Sequence, residues 1–129
     1  MTEPLFRKID CLRLPVPGVE AGLRFYRDAL GHELIWRTAT AAGLRLPDSN
    51  AELVIHNEGT GTETDLMVEA VGAAVERIVV AGGHVLRPIF DIAIGKCAVV
   101  ADPFGNVLVL LDSSKGLLVT DVAGNVIGR

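Results

Sequence analysis

The strongest constraint on this chain is that one order of strand, helix and turn patterns occurs twice. Cys11 and Gly18 recur 54 residues later as Asp65 and Gly72, and Gly31-His32 with Leu34 recur 52 residues later as Gly83-His84 with Leu86. Pro47 and Asn50 recur 56 residues later as Pro103 and Asn106. The pattern inside each copy is the same. In the first, Leu12, Leu14 and Val16 alternate with Cys11, Arg13 and Pro15, the period of two of a strand. Pro17-Gly18 breaks it, and Val19, Leu23, Tyr26 and Leu30 then fall on one helical face, closed by Gly31. Three strand-like runs follow: 33–38, 42–46 and 51–56. In the second copy a strand at 65–70 precedes a helix face of Val71, Val75 and Ile78, stopped by Gly82-Gly83. Strands at 85–87, 97–101 and 107–111 complete it.

Each copy therefore reads as a βαβββ unit, module one at about 5–58 and module two at about 64–112, with an extension at 113–129 that reads as a short hairpin. A unit of this size covers one sheet face with its helix and leaves the other bare. The expectation is a single α+β domain in which two such units curl their sheets into a cup, helices outside and a ligand cavity within.

Composition narrows the function. Twelve basic against sixteen acidic residues give a net charge of −4, so there is no cationic excess for a phosphate-neutralising nucleic-acid binder. Half the residues are hydrophobic, enough for a core without disulfides or a structural metal. The longest aliphatic run, 107–111, is far below the roughly 20 residues of a membrane helix. Met1 to Asp10 shows no basic segment followed by an apolar one, and Cys11 and Cys97 stand apart without a CxxC, so a cytoplasmic protein with reduced thiols is expected.

The phrase Phe25-Tyr26-Arg27-Asp28-Ala29-Leu30-Gly31 after the first strand, together with Asp102-Pro103-Phe104-Gly105-Asn106 before the last, resembles the vicinal oxygen chelate superfamily over roughly residues 5–112. That superfamily includes glyoxalase I, extradiol dioxygenases, methylmalonyl-CoA epimerase and bleomycin-resistance proteins. The resemblance implies a homodimer. It also implies metal-ligand positions on the first and last strands of each module. Those positions read Cys11, Leu53, Asp65 and Val109, a set with only two donors, where a divalent ion asks the protein for about three. The expectation is no metal and no other cofactor. A register slip of one residue would bring Glu52 inward in place of Leu53.

If period-two alternation holds, Cys11 and Arg13 share the cavity face with Asp65, Met67 and Glu69, walled by Leu53, Ile55, Val107, Val109 and Leu111. Arg13 then meets an anionic group of a ligand, or pairs internally with Asp65 or Glu69. Asp65 and Glu69 are the candidate bases should the protein be an enzyme. Cys11 reads as a small buried apolar residue, and His32 and His84 as cations at helix ends. His56 reads as a surface strand end. Residues 88–95 form an apolar stretch expected to be a loop, serving as a lid with Phe90 and Ile92 on the ligand or as an interface. Trp36 is a further wall candidate. The function expected is a small-molecule binding protein of the glyoxalase/bleomycin-resistance kind. The alternative is a metal-dependent lyase or isomerase of the glyoxalase I/epimerase type, or a dioxygenase-like enzyme.

Overall fold

The computed structural model describes residues 3–128. The chain divides into two compact units, one of Asp10–Glu63 with Val119–Gly128, the other of Thr64–Leu118 with residues up to Ile9. Both carry the βαβββ order, so the α+β class and the duplication expected from the sequence are present in the fold.

Module one consists of β1 (Lys8–Pro15), α1 (Val19–Leu23), a π-helical continuation over Arg24–Ala29, β2 (Leu34–Arg37), β3 (Ala41–Arg45) and β4 (Glu52–His56). Its strand order is β2-β3-β4-β1, with β1 parallel to β4 and the other pairs antiparallel. The helix face buries Val19 and Leu23 on Ala42, Leu44, Leu53 and Ile55 of the sheet. Burying such an aliphatic side chain contributes about 1.5–3 kcal/mol. The helical spacing in the sequence placed Leu30 on this face, but Leu30 is exposed. The π-helical turn is the cause. The Leu30 N–H bonds to the Phe25 carbonyl five residues back (3.0 Å), and this wider turn rotates the next side chains off the buried stripe. Gly31, at φ +86°, ends the segment in the left-handed region that glycine tolerates best.

Module two consists of β5 (Glu63–Met67), α2 (Val71–Val80), β6 (His84–Ile92), β7 (Gly95–Ala101) and β8 (Val107–Leu111). Its order is β5-β8-β7-β6, with β5 parallel to β8. Val71 and Ala74 of α2 pack on Ala98, Val100 and Leu110. The apolar stretch at 88–95 is not a loop. Most of it belongs to β6, which pairs with β7 across a two-residue connection at Ala93-Ile94, with register breaks on either side of Arg87. The sequence hid this strand because Pro88 interrupts it; β6 is the outer strand of the module, where a proline removes no needed ladder hydrogen bond.

The extension is a hairpin of β9 (Val119–Thr120) and β10 (Val126–Gly128). It lies along β2, the outer strand of module one. The Arg37 N–H bonds to the Gly124 carbonyl (2.7 Å), and Arg37 bridges Asn125. An open strand edge is a template for unwanted pairing, and this one is covered. Among the described residues no helix is long and apolar enough to cross a membrane.

Candidate functional site

Alternation on β4 and β5 divides each sheet into a helix-covered face and a helix-free face. In module one, Leu53 and Ile55 belong to the helix-covered core. This corrects their expected place as cavity walls: the helix-free face of β4 carries Glu52, Val54 and His56 instead. The register shows why. Cys11 pairs with Glu52, and Arg13 with Val54, while in module two Asp65 pairs with Val109. The last-strand position of module one is thus Glu52, one residue before Leu53. The polar pair Glu52 and His56, two turns of alternation apart beside two aliphatic residues, was the signal in the sequence.

On this face Cys11, Ala41 and Val54 form a buried cluster, with Trp36 packed against it. The Trp36 indole lies over Gly43, where a Cβ would collide with the ring. Its Nε1–H donates to Glu52 Oε1 (2.6 Å). Arg13 pairs with two glutamates that the sequence reading did not name. It donates to Glu58 Oε1 (2.7 Å) and lies 3.5 Å from Glu63, and Thr40 Oγ1 donates to the other Glu58 oxygen (2.6 Å). Burial pushes the Glu58 carboxyl upward, but the hydrogen bonds from Thr40 and Arg13 and the Arg13 charge outweigh it, so its pKa lies below the usual carboxylate value. His56 is not a surface strand end; it is 6% exposed, and its Nδ1 accepts the Glu58 N–H (3.1 Å). His32 contacts β3 through Nδ1, 3.1 Å from the Arg45 carbonyl, and His84 opens β6 on the surface.

On the helix-free face of module two, Cys97, Val109 and Leu111 are buried, and Met67, Phe90, Ile92 and Val99 pack on them. The fold brings together Met67, Phe90, Ile92 and Val109, with Phe90 and Ile92 on strand β6 and not on the lid loop expected for them. Asp65, also buried, lies on this face opposite Val109. Arg87 stacks over the Phe90 ring at 3.6 Å. Glu69 does not join them. β5 ends at Met67, and Glu69 sits in the bend before α2, lining a cleft of about 260 Å³ with Leu5, Arg7, Ala73 and Arg77. Of the two candidate bases, only Asp65 remains on the face.

The metal positions implied by the resemblance can now be weighed. In module one they supply a thiol and a carboxylate, the latter taken up by Trp36; in module two they supply one carboxylate and an aliphatic side chain. With Glu52 in place of Leu53, three of the four positions, Cys11, Glu52 and Asp65, carry a donor atom where the sequence reading counted two. Among the described residues no group of three or more His, Cys, Asp and Glu is arranged to hold a metal ion.

Sequence reasoning missed Asp112 altogether. It is buried, and its carboxylate accepts the N–H groups of Val71 (2.9 Å), Lys96 (2.9 Å) and Ser114 (3.2 Å) and the Ser114 hydroxyl (2.7 Å). Burial raises its pKa, but these donors prevail and hold it below the usual value. Its place at the start of α2 makes it a structural cap.

Comparison with known proteins bears on both modules. The family model for the Glyoxalase/Bleomycin resistance protein/Dioxygenase superfamily matches residues 8–110. Among solved structures, methylmalonyl-CoA epimerase from Mycobacterium tuberculosis superposes with a TM-score of 0.70 at 16% identity, over 88% of this chain and 93% of that one. The Mn(II)-bound glyoxalase from Novosphingobium aromaticivorans gives 0.59 at 16% identity, over 87% of this chain and 41% of that one. A superfamily member from Vibrio splendidus gives 0.58 at 16% identity, over 81% and 97%. At such identities the likeness concerns the fold. Comparison with curated proteins finds no match.

Proposed function

Because this chain belongs to the Glyoxalase/Bleomycin resistance protein/Dioxygenase superfamily, we propose that it binds a small organic molecule on a helix-free sheet face, without a tightly held metal ion. One observation carries the reading. The helix-free face of module two is an apolar wall of Met67, Phe90, Ile92, Val109 and Leu111 around a single buried carboxylate, Asp65. Ligand sites combine apolar walls with a few polar groups in this way. Val109 occupies the position where metal-dependent relatives are expected to carry a donor, and it has no lone pair. A homodimer and a cytoplasmic location belong to the same proposal.

A second reading is favoured by one observation, the presence of Glu52 beside Cys11 on one face. It is a metal-dependent lyase or isomerase of the glyoxalase or epimerase type, with Asp65 as base. A melting-shift screen against metabolites, thiols and aromatic antibiotics, run beside metal analysis of protein grown in metal-replete medium, separates the two. The binding reading expects a ligand that raises the melting temperature and is recovered unchanged, with each of Zn, Ni, Mn, Co and Fe below about a tenth of an equivalent. A stoichiometric ion, or a ligand turned over, overthrows it in favour of the second.

A further inference from the structure

We propose that the cleft between residues 3–7 and the first two turns of α2 binds a small aliphatic α-amino acid in its zwitterionic form. The site goes beyond the reading above. It lies on the helix-covered side of module two, whereas Met67, Phe90 and Val109 belong to the helix-free face.

Three observations carry it. The first is that the walls of the cleft are fixed in place. One wall, the segment before β1, is tied down at three points. Leu5 packs on the core cluster of Val71 and Ala74. The Arg77 guanidinium donates to the Glu3 carbonyl (3.0 Å), and the Arg7 N–H bonds to the Met67 carbonyl (2.8 Å). The other wall is α2, where the small side chains of Ala73 and Ala74 leave the hollow open.

The second observation is the charge of the lining. Arg7 and Glu69 both border the cleft, and neither side chain makes a hydrogen bond or ion pair with any described residue, each other included. A carboxylate for the guanidinium and an ammonium for Glu69 satisfy both at once. A simple anion would be drawn by Arg7 and repelled by Glu69, and a simple cation the reverse. Arg77 and Glu3, the other charged residues of the lining, are also opposite in sign, so the lining as a whole is neutral, as a zwitterion is.

The third observation sets the size and the side chain. The volume of about 260 Å³ falls below the roughly 300–1,000 Å³ of pockets for drug-sized ligands, which leaves room for a molecule of a few carbons. Leu5, Ala73 and Ala74 give that molecule an apolar surface for an aliphatic group.

The test titrates the full chain, isotope-labelled for proton–nitrogen spectra, with L-leucine, isocaproate and isoamylamine. The last two keep the leucine carbon skeleton but lack the ammonium and the carboxylate respectively. L-Leucine should shift the amide resonances of Ala70, Ala73 and Arg77 to saturation and bind at least about tenfold more tightly than either analogue. Arg7→Met and Glu69→Gln should each weaken it about tenfold. Both side chains are exposed and hold no other residue in place, so these variants keep the fold. Ala73→Leu should fill the hollow and abolish binding. Shifts that do not saturate, an analogue that binds as tightly as L-leucine, or leucine binding unaltered in any of the three variants would each overturn the inference. Leucine shifts confined to Met67, Phe90 and Val109 would overturn it as well, by assigning the amino acid to the sheet face.

Discussion

Asp112 and Gly95 constrain each other in module two. A Cβ at Gly95 would strike the Asp112 carboxylate and carbonyl. Gly95→Ala should therefore displace the acceptor of three backbone N–H groups, and Asp112→Asn should weaken the same set. Each is expected to cost about 1–3 kcal/mol in urea unfolding at pH 7. The Asp112 pKa is lowered in the folded state, so its contribution is complete above the unfolded value of about 3.9 and is lost as pH falls through the folded one. The gap between wild type and Asp112→Asn should accordingly narrow below about pH 4, and a constant gap from pH 7 to pH 3 would contradict this account. In module one Gly43 has the corresponding role. Gly43→Ala should push the Trp36 ring off the sheet and break its bond to Glu52. Since Trp36 is the only tryptophan, its emission should move to longer wavelength as the ring meets water.

At the scale of elements, one device occurs twice. In the turn before β8, Asp102 Oδ1 accepts the N–H groups of Phe104 (2.8 Å) and Asn106 (2.9 Å), and its Oδ2 accepts the Asn106 side-chain amide. In the C-terminal hairpin, Asp121 makes the same three bonds to Ala123 and Asn125. Gly105 and Gly124 supply the positive φ in each. The pattern Asp-x-x-Gly-Asn is thus a self-contained turn, legible in the sequence because all its partners lie within four residues. The two turns do different jobs. The first joins β7 to β8, and the second offers Gly124 and Asn125 to the edge of β2. Ending the chain at Leu118 should uncover that edge. The Arg37 amide should then exchange with solvent at least about tenfold faster, and the truncated protein should self-associate more readily in light scattering. Protection of Arg37 unchanged by the truncation would count against the hairpin as a cover.

For the molecule as a whole, the proposed homodimer is expected to elute and scatter at twice the 13.7 kDa of the chain, and a monomer at micromolar concentration would remove that part of the proposal. Local patterns determined the class and order of the elements. The repeat of helix stops, turn residues and period-two runs predicts two βαβββ modules, and the fold contains them. These are interactions between near neighbours, which composition and spacing record directly. What the chain alone left undecided was which side of a strand faces the helix. Leu53 and Glu52 differ by one position, and a slip of one residue reverses every side chain on β4. Only the pairing of Cys11 with Glu52 fixes it. The same holds for Arg13, whose partners Glu58 and Glu63 lie 45 and 50 residues away, and for the burial of His56 against Glu58. Contacts at such separations depend on strand register, and register is set by packing across the sheet, which no local pattern encodes.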